Sequence, residues 1–139
     1  MTVQGGDVQK THLCVSAEFV GQVERIESGK SSRVSLTVNS KMRVDEKGLA
    51  HGGFAFGLAD YAAMVAVNDP YVVLLSSQAR FLKPVIVGDR LEAQAEVTDE
   101  EGKKRKVHCE VFNQDRQKVF EGEFLCLVLT QHLLDKRID

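Results

Sequence analysis

HGGFAFGLADYAAMVAV, residues 51–67, is dominated by alanine and unbranched apolar side chains and stops at Asn68-Asp69-Pro70, where proline forbids further helix. It predicts one helix over about Gly52–Asn68 that is apolar on nearly every side. No side of such a helix is suited to water, so something larger than a single neighbouring helix has to enclose it. The rest of the chain supplies that wrapper.

On the N-terminal side, Cys14 to Val38 reads as a hairpin: Val15, Phe19, Val20, Val23 and Ile26, then Ser28–Ser32, then Val34, Leu36 and Val38 alternating with polar residues. Asn39–Ala50 is polar and reads as a loop. After Pro70 come four strand candidates, Tyr71–Leu82, Leu91–Val97, Val107–Val111 and Val119–Leu129, separated by turn signals at Gly88-Asp89, Glu101–Lys104 and Asn113–Gln117. Leu91–Val97 and Val107–Val111 alternate cleanly, Tyr71–Leu82 opens with the apolar run Val72–Leu75, and one face is buried in each strand. The last, from Phe124 to Leu129, is apolar on both faces, which calls for cover on both sides and suggests a partner subunit. The fold class is therefore α+β, a sheet around one helix, and the 139 residues form a single domain. Residues 1–10 are expected to be a flexible segment and 131–139 a polar tail.

Asp60 is the only acid or base inside the apolar helix. Burying a lone carboxylate costs several kcal/mol unless it is paired or hydrogen-bonded, and desolvation raises its pKa. Either it bonds a backbone group of the sheet, or it is kept for chemistry. Gly53, Gly57 and Asp60 share one helical stripe, where small residues let a ligand approach the acid. His51-Gly52-Gly53 stands at the helix start, where unpaired N–H groups at the positive end can stabilise charge on an oxygen. Together these suit acyl transfer to water.

This pattern resembles the hotdog-fold thioesterases, in particular the PaaI-like group of the phenylacetate pathway. Their signature, His-Gly-Gly followed by an acid-ended triplet such as Leu-Ala-Asp with the acid nine residues after the histidine, is similar to His51-Gly52-Gly53 and Leu58-Ala59-Asp60; Arg80–Pro84 with Gly88-Asp89 looks like the strand and turn that follow. The resemblance implies a hotdog fold, a curved antiparallel sheet wrapped around the helix. It also implies an acyl-CoA thioesterase with no cofactor beyond the coenzyme A of its substrate. Asp60 would be general base or nucleophile, the Gly52 N–H the oxyanion donor, and His51 a support for the loop or thioester. The site would lie between subunits of a homodimer or homotetramer, with the partner strand near Ser76 and Ser77 contributing. Gly53, Asp45, Phe54, Tyr61, Ser76, Ser77 and Arg80 are the candidate substrate-binding residues, with Phe54, Phe56 and Tyr61 beside the acyl chain. Asp45 stands where many relatives have Asn, and Leu74 where some have Ser or Thr. Arg80 either covers apolar surface on the outer face or meets a phosphate or carboxylate.

A second reading is a non-catalytic acyl-CoA sensor, since the hotdog regulator of bacterial fatty-acid synthesis has a similar Arg-Phe-x-x-Pro segment. The residues before Cys14 are too short for that regulator's helix-turn-helix, and Asp60 favours the enzyme. A dehydratase is disfavoured because no His-Phe-Pro-Gly segment occurs.

Composition bounds the partners. Eighteen Lys and Arg against twenty Asp and Glu give a net charge of −2, so no global field would gather nucleic acid or anionic lipid. The run Lys103–Lys106 reads as a solvated hairpin tip. With neither a spanning segment nor a readable leader, the chain is expected to be cytoplasmic. Cys14, Cys109 and Cys126 read as free thiols, and the spacing of His12, His108 and His132 matches no metal site.

Overall fold

The computed structural model describes residues 6–135. Six strands, β1 (Gln22–Glu27), β2 (Ser31–Thr37), β3 (Val72–Phe81), β4 (Arg90–Glu101), β5 (Lys104–Phe112) and β6 (Lys118–Val128), form one sheet in the order β1-β2-β4-β5-β6-β3. Every neighbouring pair is antiparallel. The long helix α2 (Gly52–Val67) lies across the sheet and packs on β2, β4 and β5. This is the expected α+β hotdog.

Alternation decides which residues meet the helix. Val34 and Leu36 of β2, Leu91, Ala93 and Ala95 of β4, Val107, Cys109 and Val111 of β5, and Phe120, Phe124 and Cys126 of β6 are all buried, while the residues that alternate with them along β2, β4 and β5 point outward. The helix answers with small residues: Ala55, Ala59, Ala62 and Ala66 are buried, beside Leu58 and Val65. Alanine on both layers lets the sheet curl closely around the helix axis. In β6 the outward Leu125 and Leu127 are only half-buried.

The expected hairpin is corrected at its start. Val15, Phe19 and Val20 are not strand residues; Ala17–Val20 form a one-turn helix, α1, and the strand begins at Gln22. The cause is Gly21, whose φ of 120° turns the chain and whose missing Cβ would sit 2.8 Å from Val34 and 2.9 Å from Leu58. Inside the Asn39–Ala50 loop, Ser40–Met42 make a 3-10 turn that buries Met42.

Of the segment 1–10 expected to be flexible, residues 1–5 lie outside the described residues, and the rest is fastened down. Asp7 N–H donates to the Ile26 carbonyl at 2.8 Å, and the buried Gln9 donates to Thr11 O and to Tyr61 Oη, both at 2.9 Å. Asn68, which ends α2 in the left-handed region at φ 53°, ties this strap to the helix. Its Oδ1 accepts from Lys10 N–H at 2.8 Å, and its Nδ2 donates to Val8 O at 2.9 Å and Ser28 Oγ at 2.8 Å. Asn68→Ala is expected to destabilise the fold by about 3 kcal/mol in urea titration and to speed amide exchange at Val8–Lys10. Of the tail 131–139, Leu133–Asp135 form a 3-10 turn, and residues 136–139 lie outside the described residues. Among the described residues no helix is long and apolar enough to cross a membrane.

Candidate active site

The loop before α2 is held on two sides. Ala50 N–H donates to Val85 O and His51 N–H to Met42 O, both at 2.8 Å. Asp45 organises this loop: its Oδ1 accepts from the N–H groups of Lys47 at 3.0 Å and Leu49 at 3.3 Å, and the side chain is otherwise solvent-facing. His51 is the N-cap residue of α2, in extended conformation and without a capping side-chain bond. Phe54 N–H turns back to the His51 carbonyl at 3.1 Å, which leaves the Gly52 and Gly53 amides without an intrahelical partner at the positive end of a sixteen-residue helix.

Neither glycine has a positive φ, and each is closely approached by an aromatic side chain. A Cβ at Gly53 would lie 2.9 Å from the His51 ring, and one at Gly52 would lie 3.2 Å from the Phe81 ring. His51 thus folds over Gly53, with its ring edge-on to Phe54 at 6.1 Å.

Two turns further along, Asp60 makes no bond to the sheet. Its Oδ1 is fully buried without a hydrogen-bond partner, and burial pushes its pKa up to about 6. The structural alternative, a carboxylate satisfied by the framework, is not what is found. Burial, with the charge of Asp60 adding to it, also pushes the Cys126 thiol up to about 12, which marks Cys126 as a neighbour of the acid. Gly57, one turn before Asp60, faces open space: a Cβ there would meet nothing within 4 Å. Phe56, on the same stripe, packs at a tilt against Phe124, with ring centroids 5.6 Å apart, and edge-on to Phe120 at 6.4 Å.

The other expected residues divide. Phe54 lines a cavity of about 200 Å³ beside His51 and Gly52. Tyr61 is turned elsewhere: it is buried against the N-terminal strap, with its hydroxyl held by Gln9 and its ring 6.2 Å from His12. Ser76 and Ser77 are exposed on β3 and line an open groove of about 500 Å³ with Gln78, Lys106 and Leu125. A register shift between Leu74 and Ser76 puts Ser77 opposite the inward Phe124 and Ser76 opposite the outward Leu125. Leu74 stands opposite Cys126, on the inner face. Arg80 lies on the outer face, largely exposed and 3.7 Å from Glu121.

Sequence reasoning missed the cavity walls contributed by Ala55, Val85, Leu91 and Val119, and the nearness of Cys126 to Asp60. It also missed His108, Glu110 and Glu121, whose ligand atoms lie within 4.8 Å of one another on the outer sheet face. Their spacing, two residues apart on one strand and cross-strand on the next, was available as a signal. Lys118 Nζ already occupies this group, 2.9 Å from Glu110 and 3.2 Å from Glu121, and the set reads as a cross-strand charge ladder.

Fold and site together define a hotdog domain with a buried, unsatisfied acid on its central helix. The model of the thioesterase superfamily matches residues 47–120, and the chain belongs to that superfamily. It is 46% identical over 120 residues to a methylthioribose-1-phosphate isomerase of Aquifex aeolicus, covering 86% of this chain and 26% of the relative. The transcription factor FapR of Caldanaerobacter subterraneus is 28% identical over 131 residues, covering 94% of this chain and 65% of the factor. The chain thus spans about a quarter and just under two thirds of these relatives' lengths. Among solved structures, an uncharacterized protein of Pyrococcus horikoshii is similar at TM-score 0.89 and 49% identity, covering 93% of this chain and 98% of that one. The Escherichia coli PaaI protein of the phenylacetic acid degradation operon follows at TM-score 0.73 and 26% identity, over 80% of both chains. A Streptococcus mutans protein bound to acetyl-CoA is similar at TM-score 0.75 and 25% identity, over 88% of this chain and 99% of that one.

Proposed function

We propose that this chain is an acyl-CoA thioesterase that works as a symmetric dimer or a higher assembly of dimers. The observation that carries the reading is the buried Asp60 oxygen without a partner, in a fold of the thioesterase superfamily. An acid kept desolvated near pH 6 is poised to take a proton from water at neutral pH. The activated water attacks the thioester carbonyl carbon while the Gly52 N–H holds the carbonyl oxygen. Collapse of the tetrahedral intermediate breaks the C–S bond, and the leaving thiolate recovers the proton, giving free acid and coenzyme A. With Asp60 as nucleophile the same donor would serve, and an acyl anhydride would form and hydrolyse. Coenzyme A enters as part of the substrate, and no other cofactor is invoked.

Distance argues for two chains per site. Gly52 and Asp60 are eight residues apart on one helix, about 12 Å along its axis. A carbonyl held by an amide at about 3 Å and attacked at about 3–3.5 Å bridges only roughly 7 Å, or 10 Å through a water. One carbonyl is therefore served more easily by Gly52 of one subunit and Asp60 of a second copy. The edge strand β3 has β6 as its neighbour on one side, and among the described residues nothing pairs with its other edge, where Leu75 is exposed. An open, partly apolar edge of this kind invites a second copy, and the half-buried Leu125 and Leu127 leave further surface for a tetramer.

The test is thiol release from a panel of acyl-CoA esters, with mass measured by light scattering. Turnover should depend on the ionised acid, so kcat/KM should rise with pH through about 6 and level off above it. The kinship with FapR supports a second reading, a sensor that binds acyl-CoA without cleaving it. Saturable binding with no thiol released would establish that reading instead.

A further inference from the structure

The cavity of about 200 Å³ at the start of α2 is walled by Phe54, Ala55, Phe81, Val85, Leu91 and Val119. His51 and Gly52 stand at its rim, and among the described residues no acidic one lines it. Lys83, its cation, is exposed to solvent. We infer that this cavity is the acyl subsite and selects an uncharged acyl group of about six carbons, aliphatic or a single aromatic ring. The inference rests on the thioesterase reading for the chemistry, while its ligand preference stands on the cavity itself.

The size follows from volume. At about 30 Å³ for a group the size of water, the space holds about six or seven heavy atoms. The direction follows from Gly52. If its amide holds the thioester oxygen, the acyl tail leaves the carbonyl at the rim and has the apolar space directly beside it, while the bulky coenzyme A stays outside. The walls are apolar and Lys83 is solvent-exposed, so a carboxylate carried into the cavity would be desolvated, which disfavours dicarboxylic acyl groups. The mouth of the cavity is still apolar but open, with the lining Leu49 40% and the nearby Ile86 51% exposed, so carbons past the sixth are only partly taken from water.

Acetyl-, butyryl-, hexanoyl-, octanoyl- and lauroyl-CoA, with succinyl-CoA as the charged probe, test this in the full chain. Each methylene buried should raise kcat/KM about fourfold up to hexanoyl, after which the series flattens. Butyryl-CoA should exceed succinyl-CoA at least tenfold. Ala55→Leu adds three heavy atoms to the space and should lower the hexanoyl-to-acetyl ratio at least tenfold. Phe81→Ala, at a position 58% exposed and so less exposed to folding defects, opens the wall and should move the plateau to octanoyl. A series that is flat, that favours succinyl-CoA, or that is the same in all three proteins overturns the inference. Release of thiol from no ester would overturn the thioesterase reading alone. The cavity is then judged by calorimetry, where hexanoyl-CoA should bind at least tenfold more tightly than acetyl-CoA, and equal affinities would overturn it as well.

Discussion

Asp60→Asn is expected to abolish turnover and, at the same time, to make the protein more stable at pH 8. The catalytic loss is that of a general base, on the order of 10²–10⁴ in kcat. The gain in stability follows from linkage. Burial raises the Asp60 pKa from 3.8 to about 6, so folding favours the neutral acid. That stabilisation is fully present below about pH 4 and is lost as pH rises through about 6, where the folded protein has to ionise a desolvated group. Asparagine never ionises. The variant should therefore exceed the natural chain by up to about 2 kcal/mol at pH 8, with the difference opening between about pH 4 and 6 and vanishing below. Thermal melts across that range, read beside thiol release, check both halves. Equal melting temperatures at every pH would mean that Asp60 is solvated in solution, and turnover that survives would remove it from the mechanism.

The second expectation concerns two inactive proteins that rescue each other. Gly52→Pro deletes the proposed oxyanion donor with little offence to the fold. Proline is favoured at the first helical position, and His51 before it is already extended, with φ −64° and ψ 130°. The nearest neighbour of the added carbon is the edge of the Phe81 ring. Loss of one such donor typically lowers the rate by about 10²–10³. If each site joins Gly52 of one subunit to Asp60 of the other, a mixed dimer of Gly52→Pro and Asp60→Asn has one intact site and one doubly damaged site. Co-expression in equal amounts should then restore about a quarter of natural activity by statistics alone. Sites confined to single chains predict no recovery. Circular dichroism on each variant separates a chemical loss from a folding loss.

The sequence carried most of this architecture because the signals were local and strong. The helix was legible from its alanines and its stop at Pro70, and β4 and β5 from clean alternation between two turns. The segment before Gln22 was not legible, because Val15, Phe19 and Val20 look alike in a strand and in a short helix packed on α2, and only the contacts of Gly21 decide between them. At the site, Asp60 stood out as the one charge in an apolar helix. Tyr61, its neighbour in sequence, was placed at the ligand because its buried partner, Gln9, comes from a segment fifty-two residues away. The serines could not be sorted, since the shift between Leu74 and Ser76 changes which of them faces inward and leaves no mark in the local pattern.

The alanine-lined helix has a consequence for how such a protein can diverge. Ala59, Ala62 and Ala66 sit against the sheet with no spare room, so a larger side chain there would push the sheet away and loosen the whole domain. The cavity walls from Phe81 to Val85 belong instead to the end of an edge strand and the loop after it, where residues change at little expense to stability. New substrate tastes would therefore arise by drift in that short stretch, while the helix stays nearly invariant beneath it.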